Sequence, residues 1–249
     1  KSDKNPAGDG LNYARYRAVE FLKPEYRIKY KNAVHVGQSL AGIYRVHMVK
    51  RLESSFYAFK KSLQTLLRIT EDMITMFQEN KVIIAPDLKV KELQAKGLDL
   101  DEIIEYAIAK GYIKEDILYH SDAFEPAFLS MLQHDKDILI KLNADWEQEN
   151  EDPKFDTFHH NFINKFFDKE INPSGKLVLF SESVDTLDYL HTKLTKEMGR
   201  SDVLMVTAAN RGKLVQTIKD NFDANHERDA QKYNIIITSD VLAEGVNLH

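Results

Sequence analysis

Three short apolar runs, KLVLF (Lys176–Phe180), DVLMVT (Asp202–Thr207) and NIIIT (Asn234–Thr238), constrain this chain more than anything else in it. A strand with one wet face alternates apolar and polar residues; these runs are apolar at consecutive positions, so both faces of each have to be covered. Between them lie SVDTLDYLHTKLTKEMG (Ser183–Gly199) and RGKLVQTIKDNF (Arg211–Phe222), whose apolar residues follow helical spacing. Strand, helix, strand, helix, strand predicts a parallel sheet between two helical layers, an α/β fold with right-handed crossovers. In such sheets ligands bind at the C-terminal ends of the strands. Three strands are few for an open sheet of this kind, so the expectation is an incomplete one.

The residues before this unit have another grammar. From Tyr44 to Phe77, Met48, Leu52, Phe56, Phe59, Leu63, Leu66, Met73 and Phe77 recur mostly at threes and fours, which predicts one long amphipathic helix near 44–77, roughly 50 Å long. Lys50, Arg51, Lys60, Lys61 and Arg68 are assigned to its polar side. A second helix is expected between Asp99 as N-cap and Gly111 as C-cap. A third is expected over EPAFLSMLQHDKDILIKLNADW, with Phe128, Leu132, Leu139, Leu142 and Trp146 on its apolar side. The segment Tyr13–Lys31 reads as helical and interrupted by Pro24. The acidic, proline-containing EQENEDPK (Glu147–Lys154) reads as a boundary. It separates a largely α-helical linker and accessory region, 1–150, from a partial α/β domain, 151–249, that opens on a helix carrying Phe155, Phe158, Phe162 and Phe166.

Composition removes several classes. With no cysteine there is neither a disulfide framework nor a cysteine-ligated zinc. No apolar run approaches the ~18 residues of a membrane span, and KSDKNPAGDG lacks the apolar core of a signal peptide. The expectation is a cytoplasmic protein with no membrane partner. A net charge of −5 speaks against a surface that grips nucleic acid everywhere, while leaving room for a local basic groove.

The chemistry is to be sought in the polar segments after each strand: SESVD (Ser181–Asp185), TAANRGK (Thr207–Lys213) and TSDVLAEGVN (Thr238–Asn247). A plainer role competes, because strand-to-helix loops need caps; Ser183 or Asp185 is expected to cap one helix, with capping favoured for Ser183, and Asn210 the next. PSGKL (Pro173–Leu177) ends like a phosphate-binding loop, but the pattern would need glycine where Glu170 stands and Ser or Thr where Leu177 stands. His159 and His160 are adjacent on a helix and point to different faces, which does not suit a shared metal. Trp146 reads as packing, and Asp101, Glu102 and Glu105 as a solvated helix face.

Taken together, KLVLFSES, VLMVTAANR, NFDAN and above all IIITSDVLAEGVNLH resemble the second RecA-like domain of superfamily 2 helicase-type ATPases, in particular the Swi/Snf-like DNA translocases of bacteria. VKRLESSFYAFKKSLQTLL (Val49–Leu67) resembles the helical segment that those proteins place between their two motor domains, whereas 68–150 matches nothing recognisable. The resemblance implies an incomplete parallel RecA-like three-layer sheet. Its partners would be DNA, or RNA, and the first RecA-like domain of the same protein. ATP and magnesium would bind in the cleft between the two domains of the intact protein, and none is expected on this fragment alone.

By the same resemblance, Ser181 and Glu182 fall in motif IV on the nucleic-acid side, and Asn210 and Arg211 in the loop facing the phosphodiester backbone. In motif V, Thr238, Ser239 and Asp240 lie near the tracked strand, while Glu244, Gly245 and Asn247 turn toward ATP; Asp240 is expected to orient donors instead of touching DNA. The phosphate loop would precede Lys1 and the arginine-bearing motif VI would follow His249, so no catalytic residue is assigned here. An arginine finger is worth ~10³ or more in rate, and the fragment is not expected to hydrolyse ATP alone. A rival reading makes 13–146 a non-catalytic helical interaction module on an α/β scaffold.

Overall fold

A computed structural model describes residues 10–28, 30, 33–84, 118–223 and 232–242. The chain divides into two compact units, one made of Lys1–Lys50 and Lys60–Asn150, the other of Arg51–Phe59 and Glu151–His249. The helix expected between Asp99 and Gly111 lies outside the described residues.

In the helical unit, Ala14–Phe21 forms a 3-10 helix and Pro24–Arg27 a single α turn. Pro24 starts that turn instead of breaking one, at the first helical position, where its missing N–H costs nothing. The expected long helix is two: α1 (Ala33–Ser54) and α2 (Phe56–Gln78). Ser55 separates them because its hydroxyl accepts the backbone N–H of Ala58 at 3.1 Å, capping α2 from a non-helical position. Helix α3 (Ala127–Gln148) buries Phe128, Leu132 and Leu139 as its spacing predicts. The two-residue strands β1 (Val82–Ile83) and β2 (Leu118–Tyr119) pair antiparallel.

Aromatic rings knit this core. Phe128 stacks on Phe21 and Phe124, each with centroids 5.2 Å apart, and Phe77 meets Phe124 at 5.0 Å. Around them pack Ala18, Leu22, Met73, Val82 and Leu132. Two polar residues are buried on the inner side of α3 among the apolar ones. Asp135, 3% exposed, accepts the backbone N–H of Asn12 at 2.6 Å and of Ala14 at 2.7 Å, anchoring the start of the 3-10 helix. Asn143 donates to the Leu63 and Leu139 carbonyls.

The α/β unit opens on α4 (Pro153–Asn164), capped by Asp152, whose Oδ1 accepts the Phe155 N–H at 3.0 Å. Then come β3 (Leu177–Phe180), α5 (Val184–Thr192, prolonged by a π turn over Lys193–Glu197), β4 (Val203–Val206), α6 (Arg211–Phe222) and β5 (Ile235–Thr238). The strands are parallel and β5 lies in the middle, in the order β3-β5-β4. It is the run with three isoleucines, each wholly buried, so the most apolar strand takes the place with neighbours on both sides.

Both faces of the sheet are covered. Leu177, Leu179, Val203, Met205, Ile235 and Ile237 meet Phe162 of α4 with Leu187 and Leu194 of the α5 segment. The alternate residues Val178, Leu204, Val206 and Ile236 meet Leu214, Ile218 and Phe222 of α6, with Leu242. The strand order explains this division. The crossover from β3 to β4 runs outward past the place of β5 and the next one returns inward; two crossovers of the same hand in opposite directions put their helices on opposite faces.

Candidate functional site

Because the strands pair in register, Phe180, Thr238 and Val206 end at one level. Neighbouring strands lie about 4.8 Å apart, so the segments that follow them leave the sheet within about 10 Å of each other. The insertion of β5 makes the β3 and β5 exits direct neighbours: the Ser181 N–H donates to the Thr238 carbonyl at 3.0 Å. Beyond this point the paths diverge, toward α5 on one face and toward Leu242 on the other, and in α/β sheets such a divergence is where ligands bind.

The side chains at this edge are mostly turned inward. Thr238 is wholly buried and its hydroxyl donates to the Ser239 carbonyl at 3.0 Å; Ser239 is 8% exposed. The Ser181 hydroxyl accepts the Ser183 N–H at 3.2 Å. Ser183 caps α5 as expected, accepting the Thr186 N–H at 3.3 Å. Asn210 precedes α6 but does not cap it. Its side chain reaches back, accepting the Thr207 N–H at 2.8 Å and donating to the Met205 carbonyl at 3.1 Å, which closes the loop onto the end of β4. Glu182 and Asp240 are exposed, and Arg211 is half-buried in the first turn of α6. Glu244, Gly245 and Asn247 lie outside the described residues.

The β3–α5 loop has partners that sequence reasoning missed. Arg51, assigned to a polar helix side, is 3% exposed and belongs to the α/β unit. It donates through Nη1 to the Ser183 hydroxyl at 2.6 Å and pairs through Nη2 with the Asp185 carboxylate. Ser54 shares hydrogen bonds with Ser181 at 3.2 Å and Thr186 at 2.7 Å, and Ser55 with Thr186 at 2.8 Å. In the structure Arg51 stands three residues after buried Met48, on the buried side of the helix.

A second polar knot stands below the edge. The Tyr189 hydroxyl donates to Asp152 Oδ2 at 3.0 Å. Burial, and then the Asp152 carboxylate, push the phenol well above its ordinary range. Its ring stacks on Tyr57 at 5.3 Å, and the Lys193 ammonium lies 5.1 Å from the Phe155 ring centre.

Lys176, of the rejected phosphate loop, lies at the other end of the strands. It donates to the Tyr233 carbonyl at 2.6 Å and to Asn234 Oδ1, after a turn in which Gly175 takes a φ of 64°. His159 stacks on Phe155 with centroids 6.0 Å apart. Among the described residues no group of three or more His, Asp or Glu is placed to hold a metal, and no helix is long and apolar enough to cross a membrane. No family model, curated protein or solved structure matches the chain.

Proposed function

We propose that the α/β unit is the second RecA-like lobe of a superfamily 2, Swi/Snf-like DNA translocase, and that nucleic-acid phosphates lie across the first turn of α6. The observation that carries this reading is the charge of that turn. It holds Arg211 and Lys213 and no acidic residue. The positive end of a helix dipole repels cations and favours carboxylates, as Asp185 in the first turn of α5 illustrates. Two cations gathered against that preference, at the edge where α/β sheets bind ligands, form a place for a polyanion.

In this reading Asn210 shapes the loop that presents Arg211 and Lys213. Ser181, Thr238 and Ser239 keep the β3 and β5 exits in register beside it. Glu182 and Asp240 bound the contact, and their carboxylates orient donors instead of meeting phosphate. The ATP-side role falls to Glu244, Gly245 and Asn247, with the first RecA-like lobe of the intact protein as partner. The phosphate loop and the magnesium carboxylates belong, in this reading, to the first lobe, so no step of ATP hydrolysis is assigned to these residues.

The test is the salt dependence of binding to fluorescein-labelled DNA, followed by anisotropy. Each phosphate contact contributes about 0.9 to the slope of log affinity against log salt for a duplex, so Arg211→Ala combined with Lys213→Ala should weaken binding and lower the slope by about 1.8. A wild-type chain without salt-dependent binding would refute the reading. So would a double variant that keeps the wild-type slope.

A further inference from the structure

Resting on that reading of the sheet edge, we propose that Arg51 is a positioning residue for the nucleic-acid contact: it holds the β3–α5 loop in the one arrangement that keeps the β3 and β5 exits together. The arrangement is expensive to build. A guanidinium with 3% exposure has given up most of its hydration, and it sits at the N-terminal end of α5, where the helix dipole opposes a cation. An apolar residue of similar volume would commonly serve stability as well or better. What the guanidinium supplies is direction, because its planar fork fixes two acceptors at once.

One branch reaches the Ser183 hydroxyl and the other the Asp185 carboxylate. Ser183 Oγ also accepts the Thr186 N–H, so Arg51 fixes the rotamer of the cap itself. The Ser183 N–H in turn donates to Ser181 Oγ, and the Ser181 N–H donates to Thr238 at the end of β5. A chain of hydrogen bonds thus runs from Arg51 through Ser183 and Ser181 to the β5 exit. Ser54 and Ser55 hold its flank through Thr186. With the serine hydroxyls of the loop engaged inward, Glu182 is left as its exposed side chain.

The experiment compares wild type, Arg51→Lys, Arg51→Met, and Arg51→Met combined with Asp185→Asn. The last variant also removes the carboxylate charge that Arg51 balances, so that folding survives; circular dichroism checks this. Amide exchange at Ser181, Thr186 and Leu187 should quicken roughly 10- to 100-fold in both methionine variants, the range expected when hydrogen bonds to a charged group are lost. DNA affinity should fall while the slope against log salt stays at the wild-type value, because no phosphate-contacting cation has been removed. Arg51→Lys, which keeps the charge but not the fork, should recover part of both. A slope lowered by about 0.9 in the methionine variants would show that Arg51 itself meets phosphate and would overturn the positioning role. Exchange and affinity unchanged from a wild type that binds DNA would overturn it alone. A wild type that does not bind DNA overturns this assignment and the proposed function together.

Discussion

Replacing Asp135 by Asn should loosen the helical unit by an amount that its geometry sets. The two carboxylate oxygens divide their work: Oδ1 takes the Asn12 N–H at 2.6 Å and Oδ2 the Ala14 N–H at 2.7 Å. A carboxamide of the same shape has one oxygen, so one backbone N–H would face an NH2 group and lose its acceptor. Leaving a buried donor unsatisfied costs about 1–3 kcal/mol. For a chain of this size that is roughly 3–10 °C in melting temperature, measured by circular dichroism at neutral pH. The pH dependence carries a sign. Burial raises the Asp135 carboxyl above its ordinary 3.8, and the two N–H donors offset this only in part. The folded state therefore takes up this proton more readily than the unfolded chain does. The stability from this titration is complete below the ordinary value and is lost as pH rises through the raised one. A protonated carboxyl offers a single acceptor, as the carboxamide does, so the loss of the second acceptor is read at neutral pH, where the carboxylate takes both N–H groups. A melting temperature at neutral pH within about 1 °C of wild type would refute the reasoning.

Two further outcomes test the α/β unit. Leu187→Ala empties a wholly buried position beneath the sheet and should cost about 2–5 kcal/mol in urea unfolding; a loss under about 1 kcal/mol would mean that the α5 layer packs loosely. At Asp202 burial raises the carboxyl, but hydrogen bonds from Arg200 and Asn234 outweigh it and the net shift is downward. The resulting stability is present above the unfolded value and lost as pH falls through the folded one, so Asp202→Asn should be destabilised at pH 7, by about 1 kcal/mol, and approach wild type only below about pH 4. Equal offsets at pH 7 and in acid would contradict this.

The sheet was legible because consecutive apolar residues leave a strand no wet face, and KLVLF, DVLMVT and NIIIT allow no other placement. The position of β5 between its predecessors was not read, although the clue was present: the strand with three isoleucines gains most from two neighbours. The long helix failed at Ser55 because periodicity counts apolar residues, and a hydroxyl that caps from within the run leaves that count almost intact. Arg51 was misplaced for a related reason. On α1, Val46 and Val49 are exposed while Tyr44 and Met48 are buried, so apolar residues occur on opposite sides and no stripe marks the inner one. Asp135 and Asn143 stand three or four residues from Leu132 and Leu139, and only position, not residue type, could have put them inside. At the sheet edge the sequence located the loops but not the direction of their side chains, which the loop hydrogen bonds decide.

Those inward directions bear on what the edge can bind. With Ser181, Ser183 and Thr238 engaged in the frame and Ser239 buried, the outward chemistry of the described residues separates by strand. Carboxylates of Glu182 and Asp240 stand at the β3 and β5 exits, and Arg211 and Lys213 at the β4 exit. The strand order therefore sorts charge across about 10 Å, with β5 and its aspartate beside the cationic turn and β3 at the far side. An extended polyanion that met all three exits equally would be repelled at two of them. One that follows α6 meets both cations and borders the aspartate of β5, with the Glu182 carboxylate at the far side. Under the proposed function the nucleic acid accordingly follows α6 and borders the β5 exit, whose register with β3 the Arg51 network holds.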